Sequence, residues 1–432
     1  MAITFTRKVE KLCCLNALIQ SFLSSQHDPT QEAPEFILKM MQKELNYNKG
    51  LEDFEWVYLK LCGNNALESG CRLQDRDITS LCASLLNVPI INSLDLRFNQ
   101  ITDDGATALA NYLKVMFFYM NLKDRCLKEL NLTGNNIMEQ GAQEIGQSLQ
   151  MNRTLERLKL TGNPIGREGG IALAKGLLLN TTIAQLDVGE CNLEISSAIA
   201  FATVLRTNKT IDYFSMDRLI LFTRQEEQTV HICEMLRMNT NLKELHLSRC
   251  DMRDYGAERV VEALEVNKTL QVLDLSANRI ARDGGNALAR GLSNRCSLTI
   301  LDLSCNRIQC EGAVAIAKAL KKDNNRLVVL YLTYNEIREK GLCALADALL
   351  YNDSLHYIYL WGNGFSEKAA AAWAHLQTIG RIRQDSTDLK PYKVDGVLRM
   401  ALFRKNGKHC KYRYGIPSWH GQAPEGRSIA LF

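Results

Sequence analysis

Histidine and cysteine, the residues that most often carry catalysis and metal binding, form no recognisable motif in this sequence. The 432-residue chain has seven scattered histidines and fourteen cysteines, and no two cysteines form a C-x-x-C pair. His246 and His356 fall in strand-like segments, where packing or a surface role is expected rather than metal ligation. The patterns G-x-x-x-x-G-K-S/T, H-E-x-x-H and G-x-S-x-G are also absent. The sequence therefore predicts a protein that is not an enzyme and holds no cofactor and no metal.

Six asparagines lie in the N-x-S/T pattern of glycosylation sites: Asn131, Asn152, Asn180, Asn208, Asn267 and Asn352. Five of them share one position of a repeat, where helix gives way to strand. Asparagine and threonine are typical of turns and caps at such positions. We therefore interpret these residues as turn-forming rather than glycosylated.

The cysteine spacing fits neither a disulfide framework nor a zinc site, and this is typical of a reducing compartment. An apolar stretch at 12–19 follows Lys8 and Lys11, but no small-x-small cleavage site comes after it. Its apolar residues are spaced as on one face of an amphipathic helix. No apolar run reaches the roughly 18 residues of a membrane span. The sequence predicts a soluble, intracellular protein.

One phrase recurs along the chain: L-x-x-L-x-L-x-x-N-x-I, then a glycine-containing loop, then a helix. Seven clear copies begin at Ile91, Leu127, Leu155, Leu270, Leu298, Leu327 and Leu355. Cys191, Cys250 and Leu219 replace the asparagine in three weaker copies, and a first copy runs from Trp56 to Asn64. These eleven positions recur mostly every 28 residues. We expect the asparagine side chain to satisfy backbone groups at the turn, and glycine pairs such as Gly169-Gly170 to permit unusual dihedral angles at helix entry.

The spacing dictates the architecture. In L-x-L the side chains alternate, so the two leucines face a core and the residue between them faces away. One unit has no partner for its own apolar face, so neighbouring units must stack. The predicted fold class is α/β, a curved solenoid or horseshoe with parallel inner strands and outer helices.

The period and the strand–helix alternation resemble the ribonuclease-inhibitor type of leucine-rich-repeat proteins. Five stretches more closely resemble one small family of such scaffolds: 94–99, 199–205, 224–231, 358–363 and 391–396. The resemblance implies a non-enzymatic protein–protein interaction scaffold linked to cilia and flagella, and also to the nucleolus. That family has no catalytic residues to carry over.

Residues between the paired leucines should line the hollow of the horseshoe. Aromatic residues gather there toward the C-terminal end, and acidic residues lie before them. The predicted partner-binding residues are Tyr331, Tyr334, Tyr357, Tyr359, Trp361, Asp187, Asp274 and Asp302. Two interpretations stay open for the aromatic residues, since either a partner protein or the chain's own C-terminal segment could cover them.

Three regions are expected: a helical N-terminal cap at 1–50, about eleven repeats at 51–380, and a basic extension at 381–432. The extension has eleven Lys/Arg against four Asp/Glu, although the whole chain has a net charge of only +4. Its segments 397–403 and 408–414 flank Asn406-Gly407, which predicts a hairpin. The basic residues there fit either a solvated sheet edge or contact with an acidic surface or RNA.

The function predicted from these observations is an interaction scaffold, as a fixed component of the ciliary or flagellar axoneme within a large assembly. The alternative is a nucleolar ribosome-assembly factor that uses the basic tail on RNA. A GTPase-activating horseshoe ranks third, because such proteins usually carry an acidic C-terminal segment.

Overall fold

The computed structural model describes residues 2–24, 35–49, 57–64, 72–116, 127–221, 226–292, 296–322 and 324–403. It divides into two compact units, Met1–Arg279 and Ile280–Phe432. Among the described helices, none is long and apolar enough to cross a membrane.

The first unit begins with two helices and continues with strands and helices in strict alternation. Its elements are α1 Ala2–Ser24, α2 Glu35–Lys49, β1 Tyr58–Lys60, α3 Asp75–Asn87, β2 Ser93–Asp95, α4 Asp103–Val115, β3 Glu129–Asn131, α5 Glu139–Met151, β4 Arg157–Lys159, α6 Gly166–Leu177, β5 Gln185–Asp187, α7 Ile195–Leu205, β6 Tyr213–Ser215, α8 Glu227–Met238, β7 Glu244–His246, α9 Asp254–Val266 and β8 Val272–Asp274.

The second unit continues the alternation and ends in a two-stranded antiparallel sheet. Its elements are α10 Arg282–Gly291, β9 Ile300–Asp302, α11 Gln309–Lys322, β10 Val329–Tyr331, α12 Glu339–Leu349, β11 Tyr357–Tyr359, α13 Glu367–Thr378, a short 3-10 helix Gln384–Ser386, β12 Leu389–Val394 and β13 Val397–Leu402.

Within each unit the short strands pair in parallel and in perfect register. The central residue of every strand is apolar and pairs with the central residue of the next, as Leu158 does with Leu186 and Leu330 with Ile358. These central side chains are fully buried under the helices. The predicted α/β solenoid of parallel strands and helices is confirmed.

Where the repeat has its asparagine, the side chain satisfies backbone groups at the turn after the strand, as predicted. The Nδ2 atom of Asn278 donates to the carbonyl oxygens of Leu247 and Leu275, both at 2.9 Å. Its Oδ1 atom accepts from the backbone N–H groups of Cys250 and Met252, both at 3.0 Å. One amide thus joins two consecutive repeats and satisfies buried backbone groups of both.

A cysteine at the same position makes only some of these hydrogen bonds. The Cys191 thiol contacts the Leu160 carbonyl oxygen at 3.1 Å, and the Cys250 thiol contacts that of Met216 at 3.6 Å. A thiol is a weak donor with a single hydrogen, whereas the amide donates two and accepts two.

Asparagines of the N-x-S/T pattern form a second buried row. Asn180 is 3% exposed, donates to the Leu149 carbonyl at 2.8 Å, and accepts from the N–H groups of Thr182 and Ile183. Asn152, Asn267 and Asn352 are likewise buried and bonded to backbone. At these positions the side chain forms the turn from helix to strand, as the sequence predicted.

The expected role of the glycine pair at helix entry is wrong. Gly169 and Gly170 lie inside α6, and the residue with positive φ is Gly166, at 70°. A Cβ atom at Gly170 would lie 2.7 Å from the Leu193 side chain. The pair therefore allows close packing of neighbouring repeats rather than an unusual dihedral angle.

The C-terminal segment forms a different hairpin from the one that the sequence suggested. The strand expected at 397–403 exists as β13, but its partner is β12, joined through Asp395-Gly396. Both turn residues have positive φ, 51° and 79°, as a two-residue hairpin turn requires. The segment 408–414 and Asn406-Gly407 lie outside the described residues. The three predicted region boundaries stay a prediction.

Candidate partner-binding surface

The side chains on either side of each central strand residue face away from the helices. In the first unit, five such residues from β5 to β8 and the turn after β6 carry titratable groups close together: Asp187, Asp217, Glu244, His246 and Asp274. We call this set the β5–β8 cluster. It combines four carboxyl groups with one imidazole, so it carries a negative surplus.

His246 stands between two buried carboxylates. Its Nε2 atom lies 2.7 Å from Glu244 Oε1, and its Nδ1 atom lies 3.4 Å from Asp274 Oδ2. Burial opposes the charged imidazolium, but the hydrogen bonds to Asp274 and Glu244 outweigh it and raise the pKa of His246 to about 10. The ring of Tyr213 packs against the imidazole with centroids 5.2 Å apart. The site therefore holds a protonated histidine at neutral pH.

Asp217 is a second member of the cluster whose pKa is shifted by its surroundings. The Ser248 N–H group donates to its Oδ1 atom at 2.7 Å, and the Ser215 hydroxyl donates to Oδ2 at 3.3 Å. Burial and the nearby charge of Asp274 raise the pKa of Asp217 to about 7, although His246 and the Ser248 N–H group act in the opposite direction. This carboxyl group is half-buried and titrates near neutrality.

Gly189 lies close to both Asp187 and Asp217. A Cβ atom placed there would lie 3.3 Å from both Asp187 Oδ1 and Ser215 Oγ, and 3.4 Å from Asp217 Cβ. The Gly189 N–H group donates to Asp187 Oδ1 at 3.0 Å. A side chain at this position would therefore crowd the polar groups of the cluster.

The sign of the surface charge changes between β4 and β5. Arg97 forms an ion pair with Asp95 at 3.0 Å, and Arg157 pairs with Glu129. Burial lowers the pKa of Lys159, which Asp187 on the next strand partly opposes. The cationic side chains of β4 thus border Asp187 of β5.

The second unit presents aromatic residues at the corresponding strand positions. Tyr331 and Tyr359 stack with ring centroids 4.4 Å apart and 28° between their planes. Tyr359 is only 2% exposed, whereas Tyr334 is 54% exposed. Tyr357 and Trp361 are half-buried. These five aromatic residues do not form one equally exposed surface.

The described C-terminal segment packs against the last repeat strand. The two oxygens of Asp388 accept the N–H groups of Leu360 at 2.9 Å and Trp361 at 3.0 Å. In the preceding repeat the N–H groups of Leu332 and Tyr334 instead bond to the carbonyl oxygens of Tyr359 and Trp361. Asp388 therefore supplies to the Leu360 N–H group the acceptor that a following strand would have supplied, and it also binds the N–H group of Trp361.

Comparison with known proteins finds the same repeat in this chain. A family model described as Leucine Rich repeat matches residues 91–110, 123–146, 152–174, 239–261, 266–289 and 295–317. Leucine-rich repeat-containing protein 34 of Mus musculus is 43% identical over 192 residues, 44% of this chain and 46% of that protein. Its Homo sapiens namesake is 42% identical over 218 residues, 50% of this chain and 46% of that protein.

Six segments of this chain match the leucine-rich repeat, and the chain is similar to leucine-rich repeat-containing protein 34. It spans about half the length of these curated relatives. Among solved structures it is similar to the yeast structure titled "Crystal structure of Rad7 and Elc1 complex in yeast", with TM-score 0.48 and 12% identity over 87% of each chain.

The structure brings together two of the predicted acidic residues of this repeat protein. Asp187 is half-buried and Asp274 is 6% exposed, and both belong to the β5–β8 cluster. Asp302 lies in the second unit, is 6% exposed, and accepts the Ser304 N–H group at 2.6 Å. Their role in partner binding stays a prediction.

Two members of the cluster, Asp217 and Glu244, were not singled out from the sequence. They flank the central triplet L-x-L rather than lying between its leucines, but they point to the same face because alternation continues beyond the triplet. Asp388, which contacts the last strand, follows no repeat pattern and has no sequence signal. Within the described ranges, no group of three His, Cys, Asp or Glu residues could hold a metal ion.

Proposed function

We propose that this protein is a non-enzymatic scaffold that holds a partner protein against its strand face, as a structural component of the ciliary or flagellar axoneme. The observation that carries the binding proposal is the β5–β8 cluster. Glu244 and Asp274 bond to one imidazole, and Asp217 lies near them, so the cluster carries a cost of desolvation and repulsion. Perturbed titratable groups of this kind are concentrated at functional sites.

The aromatic residues of the second unit support the same proposal. Tyrosine and tryptophan are enriched among the residues that dominate binding energy at protein interfaces. Tyr334 has the largest exposed fraction of the predicted set, while Tyr357 at the start of β11 and Trp361 just after this strand are half-buried. We propose these three as partner contacts. Tyr359 is buried and packs against the ring of Tyr331.

Residence in the axoneme is supported by the resemblance of the stretches 94–99, 199–205, 224–231, 358–363 and 391–396 to scaffolds linked to cilia and flagella. A nucleolar ribosome-assembly role is the second candidate. The feature that favours it is the excess of basic residues after position 380, which suits RNA.

The test is fractionation of the native protein followed by cross-linking. We expect the protein to copurify with axonemes, to resist extraction by salt, and to cross-link to its partner through strand-face residues such as Lys159 and Tyr334. Recovery with nucleoli and release by ribonuclease would favour the second candidate. Cross-links confined to the outer helices would contradict the strand-face proposal.

A further inference from the structure

The helix α7 has an outer side without charge. Among the described α-helices, α7 is the only one that contains no Asp, Glu, Lys or Arg residue. Its inner side is buried, whereas Ser196, Ile199, Ala200 and Thr203 are half-buried or exposed. The outer side of a helix at a protein surface usually carries charged or polar residues, and a helix that is apolar all round is usually buried. The composition of α7 therefore favours contact with another protein surface.

The neighbouring helices extend this uncharged area with larger apolar side chains. The helix α7 packs between α6 and α8. Ile171 of α6, Ile199 of α7 and Val230 of α8 each lie nine residues before the asparagine that follows their helix, so they occupy one repeat position. Val230 is 43% exposed, and Leu178 and Leu179 after α6 are each 62% exposed. Apolar side chains that form an exposed patch mark interaction sites. We call the outer sides of these three helices the α6–α8 face.

Charged residues border the α6–α8 face in a fixed order. The three helices point in the same direction, because each follows a strand of one parallel sheet. Acidic residues lie at the helix starts and basic residues toward the helix ends, and all of them are at least half-exposed: Glu168, Glu194 and Glu227, then Lys175, Arg206 and Arg237. A half-turn about an axis perpendicular to the face exchanges starts and ends. The charges on the face are therefore complementary to those of the same face after such a rotation.

We propose that the α6–α8 face binds the same face of a second copy of this chain, with the two α7 helices antiparallel about a two-fold axis near Ala200. In such an interface a residue on the axis meets its own copy, so a charged residue there would face a like charge. The uncharged α7 meets this requirement, and α6 of each copy then lies against α8 of the other. The inference goes beyond the proposed function, because the strand faces of both copies stay open for a partner.

The mixed signs of charge favour a second copy over a membrane. An anionic lipid surface would attract Lys175, Arg206 and Arg237 but repel the three glutamates at the helix starts. In the two-fold arrangement every border charge instead approaches a helix end of opposite charge. Complementary charges at the rim of an interface contribute mainly to specificity and to the rate of association. The border charges thus select the antiparallel arrangement.

The size of the face sets the expected affinity. The twelve-residue helices α6 and α8 are about 18 Å long. Packed helix axes lie about 8–10 Å apart, so three helices present a face of about 500 Å². Stable complexes usually bury about 800 Å² on each partner. We therefore expect a reversible dimer with a micromolar dissociation constant.

The first experiment measures the oligomeric state of the full chain by sedimentation velocity. Between about 1 and 100 µM the parent should shift reversibly from monomer to dimer. Ala200→Arg places like charges on the axis and should weaken the dimer by about tenfold or more. The matched control is Ala344→Arg, at the same repeat position of α12 and equally half-buried, which should dimerise like the parent. A parent that stays monomeric, or equal dimerisation of the two variants, would overturn the inference.

The second experiment reverses one pair of border charges. Lys175 and Glu227 are the pair to test, because Arg167 already approaches Glu168 at 3.2 Å and Glu234 approaches Arg237 at 3.9 Å. Lys175→Glu and Glu227→Lys should each weaken the dimer severalfold, and the double variant should regain the affinity of the parent. Thermal unfolding checks that all three variants fold. A double variant weaker than either single variant would contradict the antiparallel arrangement.

The dimer and the proposed function can fail separately. A monomeric chain that still cross-links to a partner through its strand face would overturn the dimer and leave the scaffold proposal intact. A dimer that responds to Ala200→Arg while no partner cross-links to the strand face would have the opposite meaning. A chain that stays monomeric and binds a helix of another protein on the α6–α8 face would overturn the inference, because the occupant would not be a second copy.

Discussion

The strand faces of the two units carry different chemistry on the same backbone. In the first unit, His246 occupies the position between two leucines and bonds to Glu244 and Asp274. In the second unit, Tyr331 and Tyr359 occupy that position and stack on each other. Both units have buried apolar strand residues and repeat asparagines, although cysteine or leucine replaces the asparagine in three repeats of the first unit. The repeat therefore fixes the backbone, and the residues between the leucines are free to specify a partner.

The two faces also differ in what they contribute to stability. An aromatic stack stabilises by about 0.5–1.5 kcal/mol beyond its buried area. A buried charge network must offset a desolvation penalty of several kcal/mol per ion, so its net contribution is small or unfavourable. The aromatic face can thus serve folding and binding together, whereas the charged face is better explained by binding.

The largest expected effect is a dependence of the protein's stability on pH, which arises from the β5–β8 cluster. The pKa of His246 rises from 6.5 to about 10 on folding, so the stability that it contributes is complete below pH 6.5 and is lost as pH rises toward 10. The pKa of Asp217 rises from 3.8 to about 7, so stability also falls as pH rises through that window. Both effects have the same sign and together amount to several kcal/mol.

Thermal unfolding of the full chain between pH 4 and 10 measures this effect. Asp217→Asn should remove the decline below neutral pH, and His246→Gln should remove the decline above it. Tyr331→Phe, on the aromatic face, serves as the control and should leave the profile unchanged. A flat profile for the parent protein would show that the cluster does not hold its charges as described.

The next largest effect concerns the repeat asparagine, which occurs in both units. Asn278→Leu and Asn306→Leu should each lower the free energy of unfolding by about 3 kcal/mol, because buried N–H and carbonyl groups lose their partner. Chemical denaturation measures the change, and Cys250→Asn is the control that should be tolerated. A large loss in only one unit would show that the asparagine row does not stabilise both alike.

Removal of the Asp388 carboxylate, which binds the N–H groups at the end of β11, should have a smaller effect on stability. Asp388→Leu leaves the N–H groups of Leu360 and Trp361 without acceptors, which costs about 2 kcal/mol. Limited proteolysis should cut this variant after Arg381 sooner than it cuts the parent, while Lys390→Leu, at an exposed position of β12, should behave like the parent. Equal protease resistance in both variants would contradict the capping role of Asp388.

The smallest effect concerns binding by the aromatic face. Tyr334→Ala should keep the parent's thermal midpoint and weaken partner binding by about tenfold, since this ring is mostly exposed. Tyr359→Ala should show the reverse order, with a lower midpoint, because its ring is buried against Tyr331. If both variants lost stability and neither lost binding, Tyr334 would not be a partner contact.

The sequence by itself determined the repeating architecture. A 28-residue period with L-x-L and asparagine predicts a strand, a turn and a helix in every unit. Stacking follows, because a single unit has no means of burying its own leucines. These features are local, so Leu158, Leu186 and Asn278 could be assigned their places from spacing alone.

Only the tertiary structure decided which side chains meet on the strand face. His246 and Asp274 are 28 residues apart in sequence, and parallel pairing in register makes them neighbours. Burial of His246 and the raised pKa of Asp217 depend on lateral neighbours from several strands. The role of Asp388 likewise required the path of the chain after α13. No local pattern encodes such contacts, because their energy arises from groups that only the folded chain brings within hydrogen-bonding distance.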